Sequence, residues 1–88
     1  MSVLHLVSRP QALGSCVRHV ATGDGVLLLG DGVYAAPDTR LAELGAPVAA
    51  IDDDALGRAV ALPPFVRPLG YDGFVALVVE HDASVSWT

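Results

Sequence analysis

One thiol and a scatter of imidazoles, hydroxyls and carboxylates are the groups through which this 88-residue chain could do chemistry. Cys16 is the single cysteine, and His19, three residues on, is the nearest base. A nucleophilic cysteine acts as a thiolate held by a helix N-terminus or a neighbouring cation. Cys16 instead shares a helical stripe with Leu13, Val17 and Val20, the place of a small buried apolar residue. It stands as the one candidate catalytic residue, a persulfide site if its sulfur is accessible. In "LLLGDGVYAAPD", Asp31 lies between Gly30 and Gly32, and Asp52, Asp53 and Asp54 follow an apolar run. Asp31 with Asp53 could do acid–base work in a cleft that raised one pKa. As turn chemistry, Gly30 and Gly32 permit positive φ and Asp31 bonds nearby backbone N–H groups. Tyr34 is then presented to a neighbour from the start of the next helix. Asp31, Gly32 and Tyr34 are thus the candidate turn or partner-surface residues.

Other chemistries lack their spacing. His5, His19 and His81 form no i, i+4 pair, and a lone cysteine builds no zinc cluster, so no metal site is expected. "GDG" at 23–25 precedes its strand and "GDGVYAA" lacks phosphate-cradling glycine spacing, so no cofactor is expected either. Ser8 and Ser15 sit in no nucleophile elbow.

The elements that must position these residues alternate along the chain. Val3 to Val7 reads as a buried strand. Gln11 to Ala21 carries apolar residues at helical spacing and stops at Gly23. Gly25 to Gly30 is apolar throughout, as a strand covered on both faces would be. Asp38 caps a short helix over Thr39 to Leu44, ended by Gly45. "APVAAI" is a third strand, after which one of Asp52 to Asp54 caps a helix through Arg58. A fourth strand around Phe65 to Leu69 contains Pro68, which has no N–H to donate and so belongs at a sheet edge. "DGFVALVVEHD" is read as a helix with Asp72 as N-cap, and Ser84 to Trp87 as a last strand. The order βαβαβαβαβ predicts one domain over residues 1–88, an α/β three-layer α/β/α sandwich on a mostly parallel five-stranded sheet. In such sheets ligands gather beyond the carboxyl ends of the strands. That edge would carry Ser8, Arg9, Asp31, Asp52 to Asp54, Tyr71 and Asp72.

Composition narrows the partners. The net charge is −5 and the five basic residues, all arginine, are scattered singly, which argues against direct nucleic-acid or anionic-membrane binding. With 52% hydrophobic and only 17% charged residues, the chain has apolar surface to spare for a protein partner. No apolar run reaches the length of a membrane span, and "MSVLHLVSRP" is unlike a signal peptide, so a cytoplasmic chain is expected.

"MSVLHLVSRP", "LLLGDGVYAA", "DDDALGRAV", "YDGFVALVVEH" and a tryptophan near the C-terminus in "SVSWT" follow one another in an order that resembles the DsrH/TusB family of sulfur-relay subunits. The resemblance spans nearly the whole chain. It implies the α/β/α fold reached above. It also implies assembly with DsrE/TusD-like and DsrF/TusC-like subunits into a heterohexamer that passes persulfide sulfur between cysteines, for wobble-uridine thiolation of tRNA or for sulfur oxidation. In that family the main sulfur-carrying cysteine belongs to the DsrE/TusD-type subunit. Some DsrH-like members have a cysteine where "GSCVRHV" has Cys16. Pro37 after "VYAA" and the short Thr39 to Pro47 segment depart from the pattern. Three readings remain open: a non-catalytic relay subunit, a persulfide carrier using Cys16, and a homo-oligomer binding a small ligand near Asp31, Asp53 and Tyr71.

Overall fold

Strands β1 (Val3–Val7) and β2 (Gly25–Leu28) lie side by side in parallel, with His5 opposite Val26 and Val7 opposite Leu28. The computed structural model describes residues 1–88. Strands β3 (Val48–Ile51), β4 (Arg67–Leu69) and β5 (Ala83–Trp87) complete a five-stranded sheet in the order β4-β3-β2-β1-β5, and all four pairings are parallel. Pro68 sits on edge strand β4, as its missing N–H requires.

Handedness distributes the helices. From β1 to β4 each strand is laid beside the last in one direction, and right-handed crossovers keep the intervening helices on one face. The return from β4 to β5 runs the other way, so its helix must cross the opposite face. The first face carries α1 (Leu13–Val17) and α2 (Asp52–Gly57), packed with Val33, Ala36 and Leu41 over Val7, Val26, Leu28 and Ala50. The second face carries α3 (Tyr71–Glu80) alone, where Phe74 and Leu77 rest on Leu4, Leu27, Ile51 and Leu69. Successive strand residues alternate between the two cores, which is why β2 and β3 are apolar throughout and buried along their whole length.

Several elements are shorter or capped otherwise than the sequence suggests. The helix expected over Gln11 to Ala21 is a 3₁₀ turn at Pro10–Ala12 followed by the five-residue α1. After β2 the chain forms a 3₁₀ helix at Gly30–Ala35, and Thr39–Leu41 is another, capped by the Asp38 carboxylate on the Arg40 N–H at 2.9 Å. Pro37 cannot donate an N–H and stops the first of these from lengthening. None of Asp52 to Asp54 caps α2. The N-cap is Ile51, and all three aspartates lie inside the first turn, where the helix dipole still favours them. Asp72 likewise lies inside α3, whose N-cap is Gly70.

Of the two glycines flanking Asp31, only Gly30 has a positive φ, at 53°. Gly32 serves a different need: a Cβ there would stand 1.9 Å from the backbone oxygen of Val7. The turn after β2 folds down onto the end of β1, and only hydrogen fits between them. Gly32→Ala should therefore cost about 3 kcal/mol or more, since backbone has to move. Gly30→Ala should cost only about 1 kcal/mol of left-handed strain. Urea titration of the two variants checks the order, and equal losses would refute the close-approach account.

Candidate functional site

At the carboxyl edge the residues singled out from sequence meet, though not as expected. Asp31 bonds no backbone group of its own turn. Its carboxylate accepts from Arg58 Nε at 2.9 Å, and Arg58 also reaches the Asp54 carbonyl at 3.2 Å. The turn is instead fixed by Asp54, whose carboxylate accepts the Gly30 N–H at 2.8 Å. Asp31 takes the ion pair because the 3₁₀ helix turns its side chain outward to the end of α2. Asp52 and Asp53 are exposed, and Tyr34 is half exposed beside the Arg58 pair. This ion pair lies in solvent and stabilises little, while Asp54 ties β2 to α2.

Neither of the two surface cavities touches Asp31, Asp53 or Tyr71. The larger, about 740 Å³, lies at the amino ends of the strands, lined among others by Leu4, Gly25, Val48, Arg67, Leu77 and His81. The smaller, about 250 Å³, lies where β1 and β5 end, between Arg9, Gln11, Ser15 and Trp87. No group of three or more His, Cys, Asp or Glu residues is arranged to hold a metal ion.

Cys16 is fully buried in the larger core, among the residues that join α1 to the sheet. Burial away from water disfavours the thiolate and pushes the thiol up to about 11. His19 does not serve it as a base. Its Nδ1 lies 2.7 Å from the Ser15 carbonyl, and its ring packs on Trp87 with centroids 5.0 Å apart.

The most connected polar group of the molecule was not singled out in the sequence. Asp24 is 4% exposed, and its carboxylate accepts from Val3 N at 2.9 Å, Ala21 N at 2.9 Å and His5 Nε2 at 2.9 Å. His5 is 3% exposed, and its Nδ1 accepts from the Trp87 indole N–H at 3.0 Å. A histidine in an otherwise apolar strand, with an aspartate just before the next strand, is the available signal. Only the β1–β2 pairing makes them neighbours.

A family model described as "DsrH like protein" matches residues 7–84. The chain belongs to this family. It is 37% identical over 78 residues to Protein TusB of Enterobacter sp. (strain 638), covering 81% of this chain and 82% of that one. With Protein TusB of Erwinia tasmaniensis it shares 35% identity over 82 residues, covering 85% and 86% of the two chains. With Protein TusB of Escherichia coli (strain SE11) it shares 30% over 95 residues, covering 97% and 100%. Among solved structures it is similar to the ychN protein from E. coli, at a TM-score of 0.74 over 98% of this chain and 97% of that one. With 15% sequence identity, that likeness speaks for the fold alone.

The hydrogen bond from His5, followed by those from two backbone N–H groups, lowers the Asp24 carboxyl to about 2. Because the folded-state value is below that of the unfolded chain, the stabilisation is complete above about pH 4 and is lost as pH falls towards about 2. Asp24→Asn should lose about 2 kcal/mol at neutral pH. Its acid unfolding curve between about pH 5 and about pH 2 should be shallower than that of the parent chain. An unchanged slope would count against a folded-state origin of the shift.

Proposed function

We propose that this chain is a subunit of a sulfur-relay complex serving tRNA thiolation, and that it contributes surface to the assembly while the sulfur travels on cysteines of its partners. Membership of the DsrH-like family and the similarity to proteins named TusB support the relay. One observation carries the non-carrier role: the only thiol of the chain is fully buried, with its pKa raised to about 11. To accept sulfur, a Cys16 thiolate would have to attack the outer sulfur of a donor persulfide, forming a new S–S bond as the donor cysteine departs as thiolate. A sulfur with no exposed surface cannot be reached, and at neutral pH almost none of it is ionised.

The partners proposed are DsrE/TusD-like and DsrF/TusC-like subunits in a heterohexamer, in the cytoplasm. Apolar side chains left in water support partner surfaces on both faces of the sheet, Leu56 of α2 at 70% exposure on one and Val75 and Val79 of α3 at 60% and 78% on the other. No helix is long and apolar enough to cross a membrane. On the single chain neither cavity borders Asp31, Asp53 or Tyr71, so the ligand-binding homo-oligomer reading draws no support from this edge.

The test incubates the protein with a persulfide-loaded donor and weighs it by mass spectrometry. The mass should stay unchanged, and Cys16→Ala should cost about 1 kcal/mol of packing while leaving sulfur transfer by the assembled complex nearly intact. A stoichiometric gain of one sulfur, abolished by Cys16→Ala, would make the chain a carrier. Light scattering of the chain mixed with both partner types checks the assembly, and a persistent monomer would refute it.

A further inference from the structure

The buried relay of Asp24, His5 and Trp87 has no part in sulfur transfer as proposed, and its hydrogen bonds dictate a protonation state. An indole N–H can only donate, so the Nδ1 of His5 that faces it must carry no proton. The one proton of the ring then sits on Nε2 and is donated to Asp24. The arrangement exists only for a neutral imidazole. A proton added at Nδ1 sets N–H against N–H and removes the only acceptor of the indole. Asp24 does not stand in for it, because it lies on the Nε2 side of the ring while the indole faces Nδ1.

What the indole holds is the last strand. β5 is a sheet edge paired with β1 alone, and none of its five residues is fully buried. Trp87, opposite Val7, is where β5 reaches into the larger core.

We propose that the His5–Trp87 hydrogen bond is a proton-operated latch: protonation of His5 at Nδ1 releases the Trp87 indole and loosens β5 from β1. Three other titratable or charged groups bear on this pair. Asp24, before β2, stays ionised and holds the Nε2 side in both states, so the change falls on Nδ1. His19, beyond α1, stacks on the indole, and its protonation would tighten that contact through a cation–π attraction, opposite in sign to the latch. Arg9 shares the small cavity beside Trp87 and keeps its charge throughout. Val85, across from His5 on β5, is apolar. The latch goes beyond the proposed function and is testable on the isolated chain.

Trp87 is the single tryptophan, so its indole N–H is one resonance in the NMR spectrum of the isotope-labelled protein. As pH falls from about 8 to about 5, that resonance should shift with the same midpoint as the His5 ring signals. Its protection from solvent exchange, measured against free indole at the same pH, should fall about tenfold, the loss of one hydrogen bond, while far-UV circular dichroism holds steady. His19→Ala should keep the transition. His5→Gln, whose amide can donate to Asp24 and accept from Trp87 but takes up no proton in this range, should show no pH-dependent step in indole shift or protection. An indole signal that stays flat while His5 titrates would overturn the latch. So would one that follows the midpoint of His19, or a His5 that never titrates while the chain stays folded. Should His5→Gln not fold, the midpoints in the parent protein decide the matter alone.

Discussion

The carboxylate of Asp24 is ionised, almost wholly buried, and neutralised by N–H groups alone. An unpartnered charge in that position would cost many kcal/mol, so the site exists only while its donors stay in place. Those donors come from the first residue of β1, from the connection entering β2 and from the middle of β1. Satisfying one carboxylate therefore fixes where β2 starts against β1, with Leu4 opposite Gly25. Through His5 the same set reaches Trp87 and the opposite end of β5, so one residue before β2 bears on three adjacent strands.

From that register the two faces acquire unequal cover. Thirteen buried residues make up the core on the face that carries α1 and α2, and five make up the core under α3. The imbalance follows from topology, since a single ten-residue helix has to cross the sheet from one edge to the other. Phe74 and Leu77 of α3 face the sheet, yet Val75, Val78 and Val79 leave its remaining surface apolar too. A helix apolar on both sides is expected to have neighbours on both sides. Low charge and leftover apolar surface, visible already in the composition, are thus concentrated by the fold on α3 and around Leu56.

The carboxyl edge shows how a sheet end that resembles an active site can be spent on structure. Asp54 fastens the backbone at Gly30, Arg58 spans Asp31 and the Asp54 carbonyl, and Gly32 lets the turn touch β1. These contacts hold the edge in shape and present Tyr34 beside it. The thiol, meanwhile, lies beneath α1 in the core, where the low dielectric that favours packing disfavours the anion that sulfur chemistry needs.

The sequence by itself determined the element order, the sandwich and the parallel sheet. The apolar run Val26–Leu29, the run Val3–Val7 broken only by His5, Pro68 at an edge and the stripe through Leu13 and Cys16 are local signals, and local signals survive folding. Helix ends were less legible. A 3₁₀ turn and an α-helix share the same apolar spacing over one turn, so α1 is shorter than its pattern and Gly30–Ala35 is no α-helix. Asp38 caps its helix as expected, but Asp52 to Asp54 and Asp72 lie inside the first turns of helices capped by Ile51 and Gly70, because an aspartate suits both the cap and the first turn. The roles of Asp31, Asp54 and Gly32, and the joining of His5, Asp24 and Trp87, were decided only by the tertiary structure. Each depends on groups 19 to 82 residues apart being brought within hydrogen-bond or van der Waals distance. No periodicity along the chain records such a meeting. It is set by strand register and crossover handedness, which only the folded sheet possesses.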